Sequence, residues 1–484
     1  IDMIDTTINT LGALKAAGYT SKSIKTELRD NLIAALKSGK KTFPDMHGYE
    51  HTVIPQLERA ILSKHNINLL GLRGQAKTRI ARMMTLLLDE YVPVLFGSEL
   101  NEDPLLPLTT FGKNLIEEKG DQCPISWLPR SERYAEKLAT PDVSVADLIG
   151  DVDPIKAATL KLNYNDERVI HYGLVPRSHR CIFVINELPD LQARIQVALF
   201  NILQEGDVQI RGYKVRLPLD MQFVFTANPE DYTNRGSIVT PLKDRIGSQI
   251  LTHYPETIGI AKIITAQEAK LNDDQSNSVY VPSLAKDILE QISFEARDSE
   301  FVDSKSGVSA RMSITAYQNL ISTAERRALK LGVEKTTVRL ADFMGVIPAI
   351  TGKVELVYEG EQEGAAMVAQ KLIADAVSTL FPTYFPKIGK LEKDPSKSAY
   401  ADIIDWFENE PGLELLDDAT DIDYKKELDS VKPLNELIKK YQPETSKEDT
   451  YFLKEFVLWA LVEYKKLSKD RFVEGFQFSD LFTR

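Results

Sequence analysis

The chain has 484 residues, of which 43% are hydrophobic and 27% are charged, and its formal net charge is −12 at pH 7. A chain of this length exceeds what one hydrophobic core usually supports, so several domains are expected. The composition is that of a folded globular protein and excludes a largely disordered chain. The acidic balance argues against a dedicated nucleic-acid-binding protein, because such proteins carry a basic face.

The sequence shows no pattern that is typical of a membrane protein or a secreted protein. No stretch has the roughly 18 consecutive apolar residues that a membrane-spanning helix needs. The amino end lacks the basic start and apolar core of a signal peptide. The only cysteines are Cys123 and Cys181, and so few cysteines are typical of a reducing compartment. The expected location is therefore the cytoplasm, without a membrane partner.

The pattern of apolar residues divides the chain into four segments. Residues 1–45 predict an N-terminal helical segment of two helices, and the second helix ends near Gly39. Residues 46–255 alternate short apolar strands with amphipathic helices, which is typical of a parallel sheet covered by helices. Helical periodicity dominates residues 256–385, and residues 386–484 predict an acidic helical C-terminal extension. The predicted fold class is α/β, followed by these helical segments.

A glycine-containing loop follows the predicted strand Ile67–Leu70 and precedes a predicted helix. Its residues are Gly71, Leu72, Arg73, Gly74, Gln75, Ala76, Lys77 and Thr78. In such a loop the backbone N–H groups surround a β-phosphate, Lys77 neutralises phosphate charge and Thr78 binds Mg²⁺. Ala76 stands where the strict pattern has glycine, and a methyl group is tolerable there if this residue has a negative φ. The alternative is a simple turn before a helix, but the order of residues favours a phosphate-binding loop.

A second predicted strand, Cys181–Ile185, is followed by two polar residues, Asn186 and Glu187. Glu187 is placed to polarise a water molecule that attacks the γ-phosphate, and the residue before it is usually an aspartate that contributes to the Mg²⁺ site. Asn186 can accept a hydrogen bond from a metal-bound water but brings no negative charge, which predicts weaker metal binding. The alternative is a buried strand that ends in a solvated turn.

The third predicted strand, Gln222–Thr226, leads to Asn228. A neutral amide at this strand end is suited to orient the attacking water against the γ-phosphate. An Asn-Pro pair by itself indicates only a turn. The spacing favours the functional interpretation, because three strand ends in chain order carry a phosphate-binding loop, an acid and an amide, and ligands bind at the carboxyl ends of parallel strands.

Two arginines are candidates for contacts with the γ-phosphate. Arg245 lies in the segment Leu242–Ile246, and an arginine that reaches across a subunit boundary raises the rate of related phosphoryl transfers on the order of 10³–10⁵-fold. The alternative for Arg245 is an ordinary surface arrangement with Asp244. Arg311 begins a predicted helix after Gly307–Ser309, and its alternative is solvation on the helix surface.

These motifs, in this order, resemble those of the AAA+ ATPases of the magnesium chelatase motor subunit and MoxR group. The resemblance covers residues 46–350. The matching segments are the loop with Ala76, as in MoxR proteins; Gly150–Pro154, as in chelatases; a predicted β-hairpin at 207–217; Asn228–Glu230, with the sensor asparagine; Leu242–Arg245, with the arginine finger; and Ser309–Arg311, with the sensor-2 arginine. Asn186 departs from the aspartate of the family.

The resemblance implies an AAA+ nucleotide-binding α/β domain at residues 46–255, followed by a helical lid domain at 256–385. It also implies a hexameric ring, ATP and Mg²⁺ as cofactors bound between subunits, and a partner protein with a von Willebrand A domain. The substrate is not implied. Chelatase subunits drive metal insertion into a porphyrin, whereas MoxR proteins act as chaperones that mature other proteins.

The leading hypothesis is therefore a ring-forming ATPase that couples ATP hydrolysis to the remodelling or maturation of a partner protein. A second hypothesis is a nucleotide-gated assembly scaffold that hydrolyses ATP weakly, because Asn186 lacks the usual charge. A third is a DNA-directed AAA+ protein. The acidic composition argues against the third hypothesis, as does the absence of the Gly-Ala-Phe-Thr-Gly-Ala loop of sigma-54 activators.

Overall fold

The computed structural model describes residues 5–163, 166–205, 207–208, 210, 217–229, 237–389 and 398–481. The chain forms two compact units that divide between His253 and Tyr254. The predicted fold class is confirmed, because a parallel sheet with surrounding helices is followed by a mainly helical part. The predicted division into four segments stays a prediction.

The first unit is built around a parallel sheet. In the described part of this unit the sheet has five strands, in the spatial order β11, β1, β10, β7, β4. These strands are β1 (Ile67–Leu70), β4 (Tyr134–Leu138), β7 (Ile182–Asn186), β10 (Gln222–Ala227) and β11 (Ser248–Leu251). The three strands expected to carry the chemistry are all present, as β1, β10 and β7, and they are adjacent. Leu70 pairs with Ala227 and Phe225 with Ile185, so the segments that follow these strands leave the same edge of the sheet.

Shorter strands form antiparallel pairs outside this sheet. The pairs are β2 (Tyr91–Leu95) with β3 (Ile125–Pro129), β5 (Gly150–Val152) with β6 (Ile170–Tyr172), and β8 (Asp207–Val208) with β9 (Leu217–Pro218). The β8–β9 pair lies at the base of the predicted hairpin at 207–217, and residues 209 and 211–216 of that hairpin lie outside the described residues.

The helices of the first unit cover the sheet, and three of them precede its strands in the chain. They are α1 (Leu11–Ala16), α2 (Ile24–Ser38), α3 (Val53–Leu62), α4 (Lys77–Met83), α5 (Thr110–Lys119), α6 (Val145–Leu148), α7 (Pro154–Leu160), α8 (Leu174–Arg177), α9 (Ala193–Glu205) and α10 (Thr240–Arg245). The end of α2 is at the predicted place, because Gly39 has a left-handed conformation, with φ 70°, that terminates the helix.

Side chains on the two faces of the sheet belong to two hydrophobic clusters. Phe183, Ile185 and Phe225 belong to one cluster, and Ile182 and Val184 belong to the other. This division follows from the alternation of side chains along a strand. A sheet that is buried on both faces has strands that are apolar at nearly every position, and polar side chains are therefore concentrated at the strand ends.

The N-terminal helix α2 packs into one of these clusters. Leu28 and Leu32 are fully buried there. Glu27, on the same helix, forms a bidentate ion pair with Arg133, at 2.6 and 2.8 Å, and both side chains are at most 5% exposed. The N-terminal helices therefore share the core of the first unit.

The second unit is mainly helical. Its helices are α11 (Ile258–Glu268), α12 (Asp273–Ser278), α13 (Ser283–Asp298), α14 (Arg311–Leu331), α15 (Ile347–Thr351), α16 (Tyr358–Glu363), α17 (Ala365–Tyr384), α18 (Ala401–Asn409), α19 (Asp421–Ser430), α20 (Lys432–Tyr441) and α21 (Lys447–Glu463). A large hydrophobic cluster joins α13, α14 and α17 to α21. None of the helices in the described ranges is both long and apolar enough to cross a membrane.

The C-terminal extension also contains a sheet that the sequence analysis did not predict. The strands β14 (Leu413–Leu416), β16 (Gly475–Asp480) and β15 (Leu467–Phe472) pair antiparallel in that spatial order. A short parallel pair, β12 (Val279–Tyr280) with β13 (Thr336–Thr337), lies nearer the start of the unit. Phe476 and Phe478 are buried on alternate positions of β16, which is the pattern of a strand with one buried face.

Candidate nucleotide-binding site

The loop Gly71–Thr78 leaves the end of β1 and leads into α4. A Cβ atom on Gly71 would lie 1.9 Å from Thr252 Oγ1 and 2.2 Å from Gln75 Oε1, so only glycine fits at this position. The Thr252 hydroxyl donates to Gln75 Oε1 at 2.7 Å, and the Tyr49 hydroxyl donates to the Gln75 carbonyl oxygen at 3.0 Å. These contacts hold the loop against the segment after β11 and the segment before α3.

Two residues of the loop have a left-handed backbone conformation. Gly74 has φ 76°, and Ala76 has φ 58° and ψ 21°. Ala76 therefore does not have the negative φ at which its methyl group would be tolerated without strain. An alanine in this conformation costs about 1–2 kcal/mol, which explains why the strict pattern has glycine here. Among the described residues, no backbone hydrogen bond is donated by Gly74, Gln75 or Ala76, and N–H groups grouped in this way form a concavity that binds anions.

The ammonium group of Lys77 lies inside this loop. Lys77 is the first residue of α4 and is only 7% exposed. Its Nζ atom donates hydrogen bonds to the carbonyl oxygens of Gly71 and Leu72, the second at 3.0 Å. The cation is therefore held against the backbone of the loop that carries these N–H groups, and this combination of charge and donors is suited to a phosphate group.

A hydrogen-bonded group joins the start of α4 to the ends of β7 and β10. The amide oxygen of Asn186, Oδ1, accepts a hydrogen bond from Thr78 Oγ1 at 3.3 Å and another from Thr226 Oγ1 at 3.1 Å. The two predicted metal ligands, Thr78 and Asn186, are therefore brought together by the structure. Because the Thr78 hydroxyl donates its hydrogen to Asn186, the lone pairs of that oxygen remain for other contacts.

Glu187 follows β7 in a left-handed conformation, with φ 56° and ψ 50°. Its backbone N–H donates to Thr226 Oγ1 at 3.1 Å. For a residue other than glycine this conformation costs of order 1–3 kcal/mol, and such residues are concentrated at functional sites. The strained backbone lies at the residue that the sequence predicts to be catalytic, and the half-buried side chain is accessible to solvent.

Asn228 follows β10 on the same edge of the sheet. Its amide oxygen is buried and accepts no hydrogen bond from the described residues. A buried amide oxygen without a donor costs about 1–3 kcal/mol, so such a group is suited to accept a hydrogen bond from a water molecule or a ligand. This property agrees with the predicted role of Asn228 in orienting a water molecule.

Arg245 is placed apart from this group, at the end of α10. Its guanidinium lies 4.5 Å from the centre of the Phe200 ring, and its Nη1 atom is 2.6 Å from Asp244 Oδ2. Two longer hydrogen bonds, at 3.3 and 3.4 Å, reach Gln204 on α9. About a third of the side chain, 32%, is exposed. Within one chain Arg245 is therefore a surface residue that packs on α9.

Arg311 belongs to the second unit and is the first residue of α14. Its side chain is exposed, and its backbone N–H donates to Ser309 Oγ at 3.2 Å. The predicted contact of Arg311 with a phosphate remains a prediction.

The residues at the edge of the sheet fit ATP and Mg²⁺. The loop offers N–H donors and the Lys77 cation, and Asn228 offers a buried amide oxygen that accepts no hydrogen bond from the described residues. Thr78 offers a neutral oxygen with free lone pairs, which is a suitable Mg²⁺ ligand, whereas Asn186 Oδ1 already accepts from two hydroxyl groups and would act on the metal site through the Thr78 hydroxyl. Because both are neutral, the negative charge that Mg²⁺ requires would come from phosphate groups and Glu187.

Sequence reasoning missed three residues that support the site. Thr226 bonds to Asn186 and Glu187, whereas Thr252 and Tyr49 hold Gln75 in the loop. Thr226 is a polar residue that directly follows the buried apolar run at residues 223–225, and that contrast is a usable signal. Thr252 directly follows the end of β11, so the rule that polar residues gather at strand ends also applies to it.

No model of a known protein family matches the chain. Among the solved structures to which it is similar is a predicted ATPase from Cytophaga hutchinsonii, at 17% identity and a TM-score of 0.29, over 75% of this chain and 97% of that chain. A complex of subunits BchI and BchD of magnesium chelatase matches at 17% identity and a TM-score of 0.34, over 66% of this chain and 98% of that chain. Hsp104, solved with ATPγS and casein, matches at 13% identity and a TM-score of 0.33, over 63% of this chain and 48% of that chain.

Proposed function

We propose that this chain is an ATPase of the AAA+ type that assembles into a hexameric ring and uses ATP hydrolysis to remodel or mature a partner protein. One observation carries the ATPase proposal. The Lys77 ammonium lies inside the loop Gly71–Thr78, and Thr78 is hydrogen-bonded to the strand end that carries Asn186 and Glu187. Phosphate-binding groups and a carboxylate at a strand end are thereby combined at one edge of the sheet.

In this mechanism the loop would hold the phosphates through its N–H groups and through Lys77, and Thr78 would hold the metal while Asn186 orients the Thr78 hydroxyl. When bound, Mg²⁺ neutralises charge on the β- and γ-phosphates. Glu187 polarises the attacking water by accepting a hydrogen bond from it, and the amide oxygen of Asn228 accepts a second hydrogen bond that orients the same water. Glu187 begins the turn after β7, and its backbone there is in the left-handed conformation.

The scaffold function is a second candidate, and Asn186 is the observation that favours it. A carboxylate is usual at this position. The neutral amide of Asn186 attracts Mg²⁺ less strongly, and the weaker binding of Mg²⁺ slows ATP turnover. A scaffold would bind ATP and assemble but hydrolyse it slowly. Steady-state ATPase activity of the purified assembly separates the two candidates, because a motor turns over at rates on the order of 1 s⁻¹ or faster, whereas a scaffold does not.

The ring proposal gives Arg245 its role. In one chain this arginine is held by an exposed pair with Asp244, and an exposed pair contributes only about 0–1 kcal/mol. A phosphate bound to the neighbouring subunit would therefore displace Asp244 at little cost. The same assembly gives Arg311 a contact with the nucleotide, and a protein with a von Willebrand A domain is the proposed partner.

A glutamine variant of Glu187 tests the proposed function. Glu187→Gln keeps the size and shape of the side chain but replaces the carboxylate by a neutral amide, so it should bind ATP without hydrolysing it. Purification from cells in the presence of ATP should then retain both the ring and the partner. If Glu187→Gln hydrolyses ATP at the parental rate, Glu187 is not the catalytic residue. If the variant binds DNA with a steep salt dependence and retains no protein, the DNA-directed alternative replaces the proposal.

A further inference from the structure

Thr226 has no role in the function proposed above, yet its hydroxyl is connected to both sides of the site. It is 1% exposed and lies near the end of β10. Its Oγ1 atom accepts a hydrogen bond from the Glu187 N–H at 3.1 Å and donates one to Asn186 Oδ1, also at 3.1 Å. One hydroxyl therefore contacts the backbone of the proposed catalytic residue and the side chain of a predicted metal ligand.

The hydrogen bonds form a continuous chain with a defined direction. A threonine hydroxyl has one hydrogen and two lone pairs. The Glu187 N–H donates to Thr226, Thr226 donates to Asn186, and Asn186 also accepts from Thr78 at 3.3 Å. The hydroxyl hydrogens of Thr78 and Thr226 are thus both directed to the Asn186 oxygen. The Asn186 amide is held between two hydroxyl groups, and the Thr78 oxygen keeps its lone pairs for a metal ion.

The register of the sheet makes this chain of bonds possible. Phe225 lies opposite Ile185 in the parallel pair of β10 and β7, so the next residues, Thr226 and Asn186, are neighbours. Glu187 then turns away in the left-handed conformation. Such a conformation costs of order 1–3 kcal/mol and persists only when surrounding contacts hold it, and the bond to Thr226 is one such contact.

From this geometry we propose that Thr226 is a positioning residue that couples the metal site to the catalytic carboxylate. It holds the amide of Asn186 towards Thr78, and it holds the backbone of Glu187 in the conformation that directs the carboxylate. Thr226 acts through these residues without contacting the nucleotide itself. This inference rests on the proposed ATPase function.

The test compares Thr226→Val with Thr226→Ser. Valine has nearly the shape of threonine but has no hydroxyl, whereas serine keeps the hydroxyl. We expect Thr226→Val to lower kcat at least about tenfold, because a misplacement of about 1 Å in a catalytic group can cost about 10²-fold. Its Kd for ATPγS without Mg²⁺ should stay within about twofold of the parent, while the gain in affinity on adding Mg²⁺ should shrink. Thr226→Ser should restore kcat to within about twofold of the parent.

A nucleotide-independent measurement reports on the hydrogen bond itself. In Thr226→Val the Glu187 N–H loses its acceptor, so hydrogen exchange at this amide should become at least about tenfold faster. The matched control is Thr42→Val. Thr42 is another buried threonine of the first unit, and its hydroxyl donates to Glu58 at 2.8 Å, away from the site. This control should lower stability without changing kcat or the exchange of the Glu187 amide.

The outcomes separate this inference from the proposed function. If the parent protein hydrolyses ATP and Thr226→Val keeps the parental kcat and amide exchange, the role of Thr226 is wrong while the ATPase proposal stands. If Thr226→Ser is as impaired as Thr226→Val, shape and not the hydroxyl matters, and the inference is again overturned. If the parent binds no ATPγS with or without Mg²⁺, the proposed function fails, and the role of Thr226 fails with it.

Discussion

The proposed site has two regions that differ in how their residues are held. At the edge of the sheet, Lys77, Thr78, Asn186 and Glu187 are tied to each other or to the loop by hydrogen bonds within one chain. Arg245, on α10, is held by an exposed carboxylate and an aromatic ring on its own subunit. The first region is organised by the fold alone, whereas the proposed function of Arg245 depends on a second subunit.

The largest expected effect concerns Lys77. Lys77→Ala removes the cation inside the phosphate-binding loop, so nucleotide binding should be lost, with Kd rising at least about a hundredfold. Isothermal calorimetry or a fluorescent nucleotide measures this change. The control is Lys113→Ala, which removes an exposed lysine from α5. An affinity within about threefold of the parent would contradict the assignment of Gly71–Thr78 as the phosphate-binding loop.

A change at Arg245 tests the second region. Arg245→Ala should keep nucleotide affinity nearly intact but lower turnover at least about a hundredfold, as expected when an arginine finger is removed. Lys243→Ala, on the same helix, is the control for the loss of an exposed cation.

Mixing two variants distinguishes an arginine finger from an arginine that has only a structural role. When Arg245→Ala subunits are mixed with Glu187→Gln subunits, one type of interface carries neither change, so activity should return there. Exchange of subunits between rings must first be verified with labelled protein. An arginine that serves only to pack on Phe200 would lower stability instead and give no recovery on mixing, and this result would favour the scaffold function.

A smaller effect is expected at Asn186. Asn186→Asp adds a negative charge beside Thr78, so half-maximal ATPase activity should need about five- to tenfold less Mg²⁺, which corresponds to about 1 kcal/mol. Asn114→Asp adds the same charge at an exposed position on α5 and should leave the metal titration unchanged. An unchanged titration for Asn186→Asp would place this residue outside the metal site.

The smallest effect is expected at Ala76. Ala76→Gly removes the cost of an alanine with φ 58°, about 1–2 kcal/mol, but also increases the backbone entropy of the unfolded chain, which offsets about 0.4–1 kcal/mol. The net gain in the free energy of unfolding should lie between about 0 and 1.6 kcal/mol, measured by urea denaturation. Ala76→Val should destabilise instead, because a β-branched residue fits this conformation poorly. Stabilisation by valine would contradict the left-handed conformation.

The positions of the strand ends were predictable, because strands of a sheet that is buried on both faces are mostly apolar before their carboxyl ends. The first polar residues after β1, β7 and β10 are then visible in the sequence. The bond between Thr226 and Asn186 was not predictable, because it depends on the register between two strands that are far apart in the sequence. The contacts of Arg245 with Phe200 and Gln204 depend in the same way on how two helices pack.

Two features that the sequence analysis did not predict had signals that could have been used. The strict loop pattern has glycine at the position of Ala76, and that preference is itself a sign of positive φ. The phenylalanines at 476 and 478 alternate with polar residues and could have indicated β16. Its partner β15 gives little signal, because four consecutive polar residues lie between Leu467 and Phe472. Pairing with β16 decides its structure.

The buried pair of Glu27 and Arg133 has a consequence for how this protein tolerates proteolysis. Exposed lysines at 40 and 41 offer a protease a cleavage site between α2 and α3. Separating the two pieces after such a cut would leave Arg133 as a buried, unpaired charge, and breaking a buried ion pair costs about 3–5 kcal/mol. The buried Leu28 and Leu32 would lose their packing as well. A protein cut at this point should therefore migrate as one particle on gel filtration and separate into two bands only after denaturation.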